Sequence, residues 1–401
     1  MIYISMRKTG TIAGGIEMRI TKKGIAMIII LTILTAAILL YLYARITYGA
    51  VLEVDFDMIL TRKDYEVRVV TQEDEVTTLA KKDKSDFKVL AFTDMHFDGM
   101  DDKAMDKTMD EFLNAMNQEQ PDLVVFTGDI VTAIFNKERA ELLAQTMEAY
   151  GVYWCPILGN HEGEHPLAYP RENLIKLWAD DEKYPHCLVK MGPEELSGYG
   201  NYVVNLLDSE GSIHQSLIFM DSGDYVSEED VKTLTVSKGS YAYIQADQIA
   251  WYKKQIKALP EGTRSSLFIH IPLCEYAQAW DEIYNEAEDS IKDTRESRYL
   301  YGLQREPVCC AEYNSGLFTV MKELGSTKDV YCGHDHINDY SIVYQEIGLH
   351  YLEASGYATY GWNEDSGKKT EILAEQSLQG YTILEMKSKG ENSITRVRYK
   401  Q

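Results

Sequence analysis

The stretch Phe87-Lys-Val-Leu-Ala-Phe-Thr-Asp94-Met-His96 runs from an apolar segment straight into two residues that bind protons or metal ions. The same junction recurs along the chain. Leu123–Thr127 leads into Gly128-Asp129, and Tyr153–Leu158 into Gly159-Asn160-His161-Glu162. Leu267–Ile271 carries His270 before Pro272, and Val330–Cys332 leads into Gly333-His334-Asp335-His336. Each run is short and ends at a turn signal, so each is expected to be a buried strand. Between the first two, Met105, Met109, Phe112, Leu113 and Met116 share one helix face, and Ile249, Tyr252 and Ile256 mark a second helix over Gln245–Leu259. Leu217–Met220 is a further strand, within a hairpin of Tyr202–Leu207 and Ile213–Met220. The C-terminal third (Ile342–Tyr344, Leu349–Leu352, Tyr381–Met386, Ile394–Tyr399) is β-rich. Strands alternating with helices predict an α/β fold. No Pro/Gly linker splits residues 86–401, so one domain is expected there.

Loops leaving the carboxyl ends of strands are where α/β sheets assemble their sites, so these five junctions are expected to converge. Their carboxylate, imidazole and amide donors suit Mn, Fe or Zn rather than thiolate-selecting metals. One residue between Asp94 and His96 places both side chains on the same side of an extended strand, and His334 and His336 repeat that spacing. Gly128, Gly159 and Gly333 let the backbone turn away without a Cβ in a crowded site. Five of the nine histidines lie in these segments, which a core-packing role would have to explain five times over.

Outside the junctions, the charge is 40 − 63 = −23, and 45% of residues are hydrophobic, enough for a large core. A surface this acidic, with no basic groove, repels a phosphate backbone; nucleic acid is not an expected partner and a nuclease is disfavoured. The six cysteines show no CxxC spacing, so neither a zinc ribbon nor a redox motif is indicated. From Gly24 to Ala44 there are 21 uncharged residues. At about 1.5 Å per residue they span a hydrocarbon core of roughly 30 Å. Arg7, Lys8, Arg19, Lys22 and Lys23 precede this run and only Arg45 closely follows, which places the N-terminus inside. The expected order is a cytoplasmic basic segment (1–23), a transmembrane signal anchor in the cell membrane (24–44), a stalk with an edge segment (45–85) and an extracellular domain (86–401). The run exceeds a signal-peptide core, so the lipid bilayer is expected as a permanent partner. Gly14-Gly15 just before Met18 resembles the translated trace of a bacterial ribosome-binding site, which would make residues 1–17 an over-extended start.

The order D-x-H, GD, GNHE, H-x-P, GHDH resembles the calcineurin-like metallophosphoesterase superfamily, over roughly Asp86 to Lys389. Within it the chain is most similar to the Dcr2-like and purple-acid-phosphatase-28/29-like group. That narrower likeness rests on Gly200-Asn-Tyr202 with Asp221-Ser-Gly-Asp-Tyr225, on Gln304-Arg-Glu306 with Asn314-Ser-Gly-Leu-Phe318, and on Gly333–Asp339 followed by Ser355–Gly361. The resemblance implies a four-layer α/β/β/α sandwich of two mixed β-sheets with two metal ions, Mn, Fe or Zn, at the sheet ends. It implies Asp94, His96, Asp129 and His336 on the first metal, and Asp129, Asn160, His270 and His334 on the second, Asp129 bridging. It further implies hydrolysis of a small phosphoester by a metal-bridging hydroxide, with His161 protonating the leaving group. True purple acid phosphatases use a tyrosine ligand and lack a histidine at the place of His96, so neither the colour nor Fe(III) is implied. Rival readings are a phosphodiesterase or pyrophosphatase of the same fold, and a non-catalytic, metal-stabilised binding domain.

Further residues carry weaker expectations. Tyr357, Tyr360 and Trp362 are candidates for an aromatic wall beside the substrate, and Arg305 for a phosphate ligand. Glu275–Arg298 reads as a solvated surface segment or, more sharply, as a lid. His165, His186, His214 and His350 are expected on the surface or in the core, and a disulfide between neighbouring Cys309 and Cys310 would be strained.

Overall fold

The computed structural model describes residues 22–49, 52–61, 65–82, 86–360 and 379–399. The alternative start, Arg7, Lys8, Arg19 and Trp362 lie outside the described residues. The chain divides into two units, Met1–Thr47 and Tyr48–Gln401. The first contributes most of a helix, α1 (Lys22–Tyr48), whose apolar side chains from Ile25 to Leu42 are exposed. By length and composition it is able to cross a membrane.

The second unit holds sixteen strands among the described residues. In chain order they are β1 (Val67–Glu73), β2 (Val76–Lys81), β3 (Phe87–Phe92), β4 (Leu123–Thr127), β5 (Trp154–Ile157), β6 (Tyr202–Leu207), β7 (Ile213–Phe219) and β8 (Arg264–Phe268). They continue with β9 (Tyr284–Asn285), β10 (Ser290–Ile291), β11 (Ser297–Tyr301), β12 (Thr327–Cys332), β13 (Ser341–Tyr344), β14 (Ile347–Tyr351), β15 (Gly380–Met386) and β16 (Ser393–Arg398). Five form one sheet in the order β16-β15-β3-β4-β5, nine form a second in the order β1-β2-β6-β7-β8-β12-β14-β13-β11, and β9 pairs with β10 as a separate hairpin. The strands that precede the ligand-type residues run parallel within each sheet, β3-β4-β5 in one and β7-β8-β12 in the other. Their carboxyl ends therefore open on one side, while antiparallel β15 and β16 complete the smaller sheet.

The inner faces meet in one buried cluster, where Phe92 and Phe126 lie with Tyr202, Phe219, Phe268 and Tyr331. Those last four rings form a stacked ladder across adjacent strands, with centroids 4.7–5.0 Å apart. Helices α2 (Asp102–Glu119) and α3 (Asn136–Tyr150) cover the smaller sheet, and α4 (Arg171–Trp178) and α5 (Glu228–Thr233) follow in chain order; Phe112 of α2 meets Phe92 edge-on at 4.9 Å. The Met105–Met116 stripe is buried in that contact. Helices α6 (Ala246–Ala258), α7 (Glu275–Ile283) and α8 (Leu317–Leu324) cover the larger sheet through Tyr252, Trp280 and Met321. The layers run α/β/β/α.

Two segments differ from the sequence reading. Residues 65–82, expected as stalk with one edge segment, supply two strands; β2 pairs in parallel with β6, and only β1 is at the edge. The signal was muted because β1 is exposed along most of its length, with only Val67 buried. Glu275–Arg298 is neither a lid nor a wholly solvated segment. Its first third is α7, which buries Tyr276, Ala279, Trp280 and Ile283, and only the following hairpin is exposed.

Candidate metal centre

The five junctions meet. Asp94 and His96 follow β3, Asp129 follows β4, and Asn160 and His161 follow β5; His270 follows β8, and His334 and His336 follow β12. Donor atoms of Asp94, His96, Asp129 and His336 lie within 4.8 Å of one another, as do those of Asp129, His270 and His334. The two groups share Asp129, so the arrangement is a candidate binuclear site. Asn160 belongs to the second group, its Oδ1 being 3.2 Å from His270 Nε2. All these ligand-type residues except His161 are buried.

Strand extension is not what presents them. Asp94 (φ 52°), His96 (φ 47°), Asp129 (φ 49°) and His334 (φ 78°) all adopt left-handed backbone conformations just past their strands. The D-x-H pair is thus displayed by a turn, correcting the expectation of an extended strand. Such conformations cost about 1–3 kcal/mol each and persist where the surroundings over-determine them. Here Asp94 N–H donates to Gly128 O (3.1 Å), His96 N–H to Asp129 O (2.9 Å) and Phe97 N–H to Ile130 O (3.0 Å). Gly128, at φ 91°, sits where a Cβ would lie 2.6 Å from His270 Nδ1, and a Cβ on Gly333 would lie 2.6 Å from Asp94 Oδ2.

The donors are aimed at common points rather than at each other. His270 Nδ1 donates to Thr127 O (2.7 Å) and His336 Nδ1 to Tyr360 O (2.9 Å), which turns both Nε2 atoms inward. Asp129 Oδ2 is 3.1 Å from His270 Nε2, 3.6 Å from His96 Nε2 and 4.0 Å from His161 Nε2, yet makes no hydrogen bond in good geometry. His96 Nε2 and His334 Nε2 are likewise buried without a hydrogen-bond partner. Buried polar atoms are ordinarily satisfied. Three orphaned atoms converging on shared carboxylates fit cations of the hard-to-borderline class.

The electrostatics agree. Burial opposes ionisation of Asp94 and Asp129, but His336 beside the first and His270 beside the second hold both carboxyls well below their usual range. Burial opposes His270 too, yet Asp129 raises it to about 10. Burial holds His96 and His334 down to about 3, leaving neutral rings able to donate a lone pair. The buried carboxylates thus favour positive charge beside them.

Four supporting residues were assigned no role from the sequence. Glu162 is fully buried and accepts three backbone N–H bonds, from Gly159 (2.8 Å), Asp129 (3.1 Å) and Ile130 (2.5 Å). Burial and the Asp129 charge push it up to about 7 against the pull of His270, Arg171 and the Ile130 amide. Glu164 pairs with His161 Nδ1 and accepts from Tyr225 OH (2.9 Å), while Asn160 Nδ2 donates to the same hydroxyl (3.4 Å). Arg171, buried, donates to Gly159 O and to Asp221 Oδ1 (2.5 Å), which gives the Asp221–Tyr225 motif its place behind the site. Tyr241 meets His334 edge-on at 4.4 Å and stacks on Tyr225 at 5.7 Å. Glu162 was legible in its motif; Tyr241 carried no local signal.

The weaker candidates divide. Tyr360 stacks on His336 at 4.1 Å and is half exposed, at the rim of the site. Tyr357 packs instead beside α2 and Tyr399, with Lys107 Nζ 3.9 Å from its ring centre. Arg305 is bound by Asp339 (2.6 Å) and Ile337 O (3.1 Å), so its guanidinium braces the 333–339 turn, a correction to its reading as a phosphate ligand. His350 is buried against Asp329 and Ser341, His214 packs on Phe87, His186 pairs with Glu148, and His165 lies against Tyr48. Neighbouring Cys309 and Cys310 are not bonded to each other.

Residues 87–338, more than half of the chain, match the family model described as calcineurin-like phosphoesterase. The chain is 26% identical over 320 residues to a protein of Arabidopsis thaliana named "Probable inactive purple acid phosphatase 28", covering 70% of this chain and 73% of that one. It is 28% identical over 289 residues to phosphatase DCR2 of Saccharomyces cerevisiae, covering 66% and 46% respectively. Among solved structures, a dimetal phosphatase from Danio rerio matches 78% of this chain and 99% of its own, at 13% identity and a TM-score of 0.43.

Proposed function

Because the chain belongs to the calcineurin-like phosphoesterase family, we propose that it is a membrane-anchored phosphoester hydrolase whose domain faces away from the cytoplasm. Asp94, His96, Asp129 and His336 would hold one divalent cation, and Asp129, Asn160, His270 and His334 a second. Asp129 would be shared by the two. Bound cations supply an acidified water and neutralise charge on the phosphoryl oxygens. The observation that carries the proposal is the convergence of unpartnered His96, His334 and Asp129 atoms at two intersecting donor groups.

The chain's own residues do the rest. His161 is a third exposed, with Nε2 facing Asp129 and Nδ1 held by Glu164. That pairing fixes the ring so that a proton on Nε2 is delivered to the leaving oxygen, worth about 10²–10⁴-fold for a poor leaving group. Tyr225, Tyr241 and Tyr360, all at least partly exposed, line the approach to the histidines and offer flat apolar surface to the leaving group. The family relative's name calls that relative inactive; in this chain each proposed ligand position holds a donor. Orientation follows from the basic residues before α1, since positive flanks stay cytoplasmic.

The test is hydrolysis by the detergent-solubilised full chain, stripped of metal and reloaded with Mn, Fe or Zn, on an aryl phosphate monoester and a diester side by side. Activity that returns only with metal supports the proposal. Metal binding without turnover of either ester would favour a metal-stabilised binding domain.

A further inference from the structure

Cys274 and Cys310 are 36 residues apart in sequence, but the fold brings their side chains close enough for each thiol to act on the ionisation of the other. Cys274 Sγ also lies 3.2 Å from the carbonyl oxygen of Ala311, the residue after Cys310. Both cysteines are partly exposed, whereas Cys155, Cys187 and Cys332 are buried. Cys309, the neighbour of Cys310, turns its thiol to Pro307 O at 3.5 Å instead.

The meeting point is a seam between two parts of the candidate metal centre. Cys274 ends the loop that leaves His270 and immediately precedes α7. Cys310 lies in an irregular strap, residues 302–316, between β11 and α8. On one side the strap is bonded to the turn that carries His334 and His336. Leu303 N–H donates to Asp339 Oδ1 (2.7 Å), Arg305 N–H to Asn338 Oδ1 (2.8 Å) and Cys309 N–H to Asp335 Oδ2 (3.2 Å). Ile337 N–H returns a bond to Glu306 Oε1 (3.0 Å). On the other side Asn314 Nδ2 donates to Glu275 Oε1 at the start of α7 (2.8 Å). The strap therefore couples the His334/His336 turn to the His270 loop, and Cys274 meets it beside Cys310 at its second seam.

We propose that Cys274 and Cys310 are joined by a disulfide that fastens this strap, and with it the histidine-bearing turn, to the loop behind His270. The Cys310 side chain holds the Cys274 thiol below its usual value against the opposing pull of burial, so Cys274 is the thiol that reacts first. It attacks an external disulfide, carried by a thiol–disulfide oxidase or a small-molecule disulfide, and one oxidant sulfur leaves as a thiol. Cys310 then displaces the second. Two protein thiols give up two protons and two electrons, and the oxidant disulfide becomes two thiols. The proposed placement outside the cytoplasm supplies the oxidising surroundings; the pairing itself does not depend on catalysis.

The experiment uses the full chain in detergent, equilibrated with oxidised glutathione or with a phosphine reductant, then alkylated, digested and mapped by mass spectrometry. The expected result is a cross-linked peptide pair containing Cys274 and Cys310, lighter by two hydrogens and absent after reduction, with Cys309 alkylated. Cys309→Ser retains the cross-link and Cys310→Ser loses it. The oxidised wild type also gives up its metal to a chelator more slowly than the reduced form, a difference absent in Cys310→Ser. Alkylation of both Cys274 and Cys310 after oxidation, or Cys309 in the place of Cys310, would overturn the pairing. Because mapping reads sulfur bonding on the unaltered chain, its outcome is separate from whether either ester is hydrolysed.

Discussion

Replacing Glu162 by glutamine tests whether the strained turn after β4 is held by one carboxylate. Oε2 of Glu162 accepts from Gly159 N–H and Asp129 N–H, and Oε1 from Ile130 N–H. A glutamine keeps only one acceptor oxygen. If its NH₂ takes the place of Oε1, the Ile130 amide loses its bond and faces a second donor; the opposite flip strands two amides. Hydrogen bonds to a charged acceptor contribute about 1.5–3 kcal/mol, and a buried unsatisfied donor costs about 1–3 kcal/mol, so the less damaging flip is expected to destabilise by roughly 2–4 kcal/mol. For a domain of this size that is a fall of a few degrees in Tm. The same amides position Asp129 in its left-handed conformation, so metal affinity is expected to fall about 10- to 100-fold. The assay is thermal unfolding together with chelator competition at pH 8, above the value of about 7 to which Glu162 is raised. A Glu162→Gln protein with wild-type Tm and wild-type metal affinity would refute this account of the turn.

Three further outcomes are expected. His161→Ala retains its metal ions but loses about 10²–10⁴ of kcat on an alkyl phosphate, and less on an aryl phosphate whose leaving group needs no proton; equal losses on both would contradict the acid role. Glu164→Gln, which loosens the partner of His161 Nδ1, lowers kcat on the alkyl ester about 10- to 100-fold with KM little changed, whereas a rise in KM alone would place Glu164 in substrate binding. Metal binding at pH 7 releases protons, because His270 is raised to about 10 and must give up its proton to ligate. Apparent affinity therefore rises with pH through neutrality and falls as pH drops. Calorimetry in buffers of different ionisation enthalpy reads the proton count, and a count of zero would show that His270 is not a ligand.

What the sequence made legible follows from range. A run such as Leu123–Thr127 is apolar because both faces of its strand are buried, and Gly128-Asp129 breaks it at the sheet's end, so strand and donor are read together from adjacent residues. Asp94, His96, Asn160, His270, His334 and His336 were visible for the same reason. The left-handed turns were not, since Asp94 and His96 owe their backbone angles to Gly128 O and Asp129 O on the neighbouring loop. Tyr241 sits in an irregular segment, and only the tertiary fold carries it to His334. Arg305 misled for the converse reason: an arginine in a motif looks like an anion ligand until Asp339, 34 residues later, is seen to hold it. The β1–β2 hairpin was under-read because its edge strand is exposed along most of its length and so lacks the apolar run that marks the buried strands.

The most direct test of the central claim is anomalous diffraction from crystals of the metal-loaded protein. The account predicts two peaks about 3.5–4 Å apart, one on either side of Asp129, the first contacting Asp94, His96 and His336 and the second Asn160, His270 and His334. A single peak, a pair that does not share Asp129, or no peak at these side chains in a protein that hydrolyses phosphoesters would contradict it.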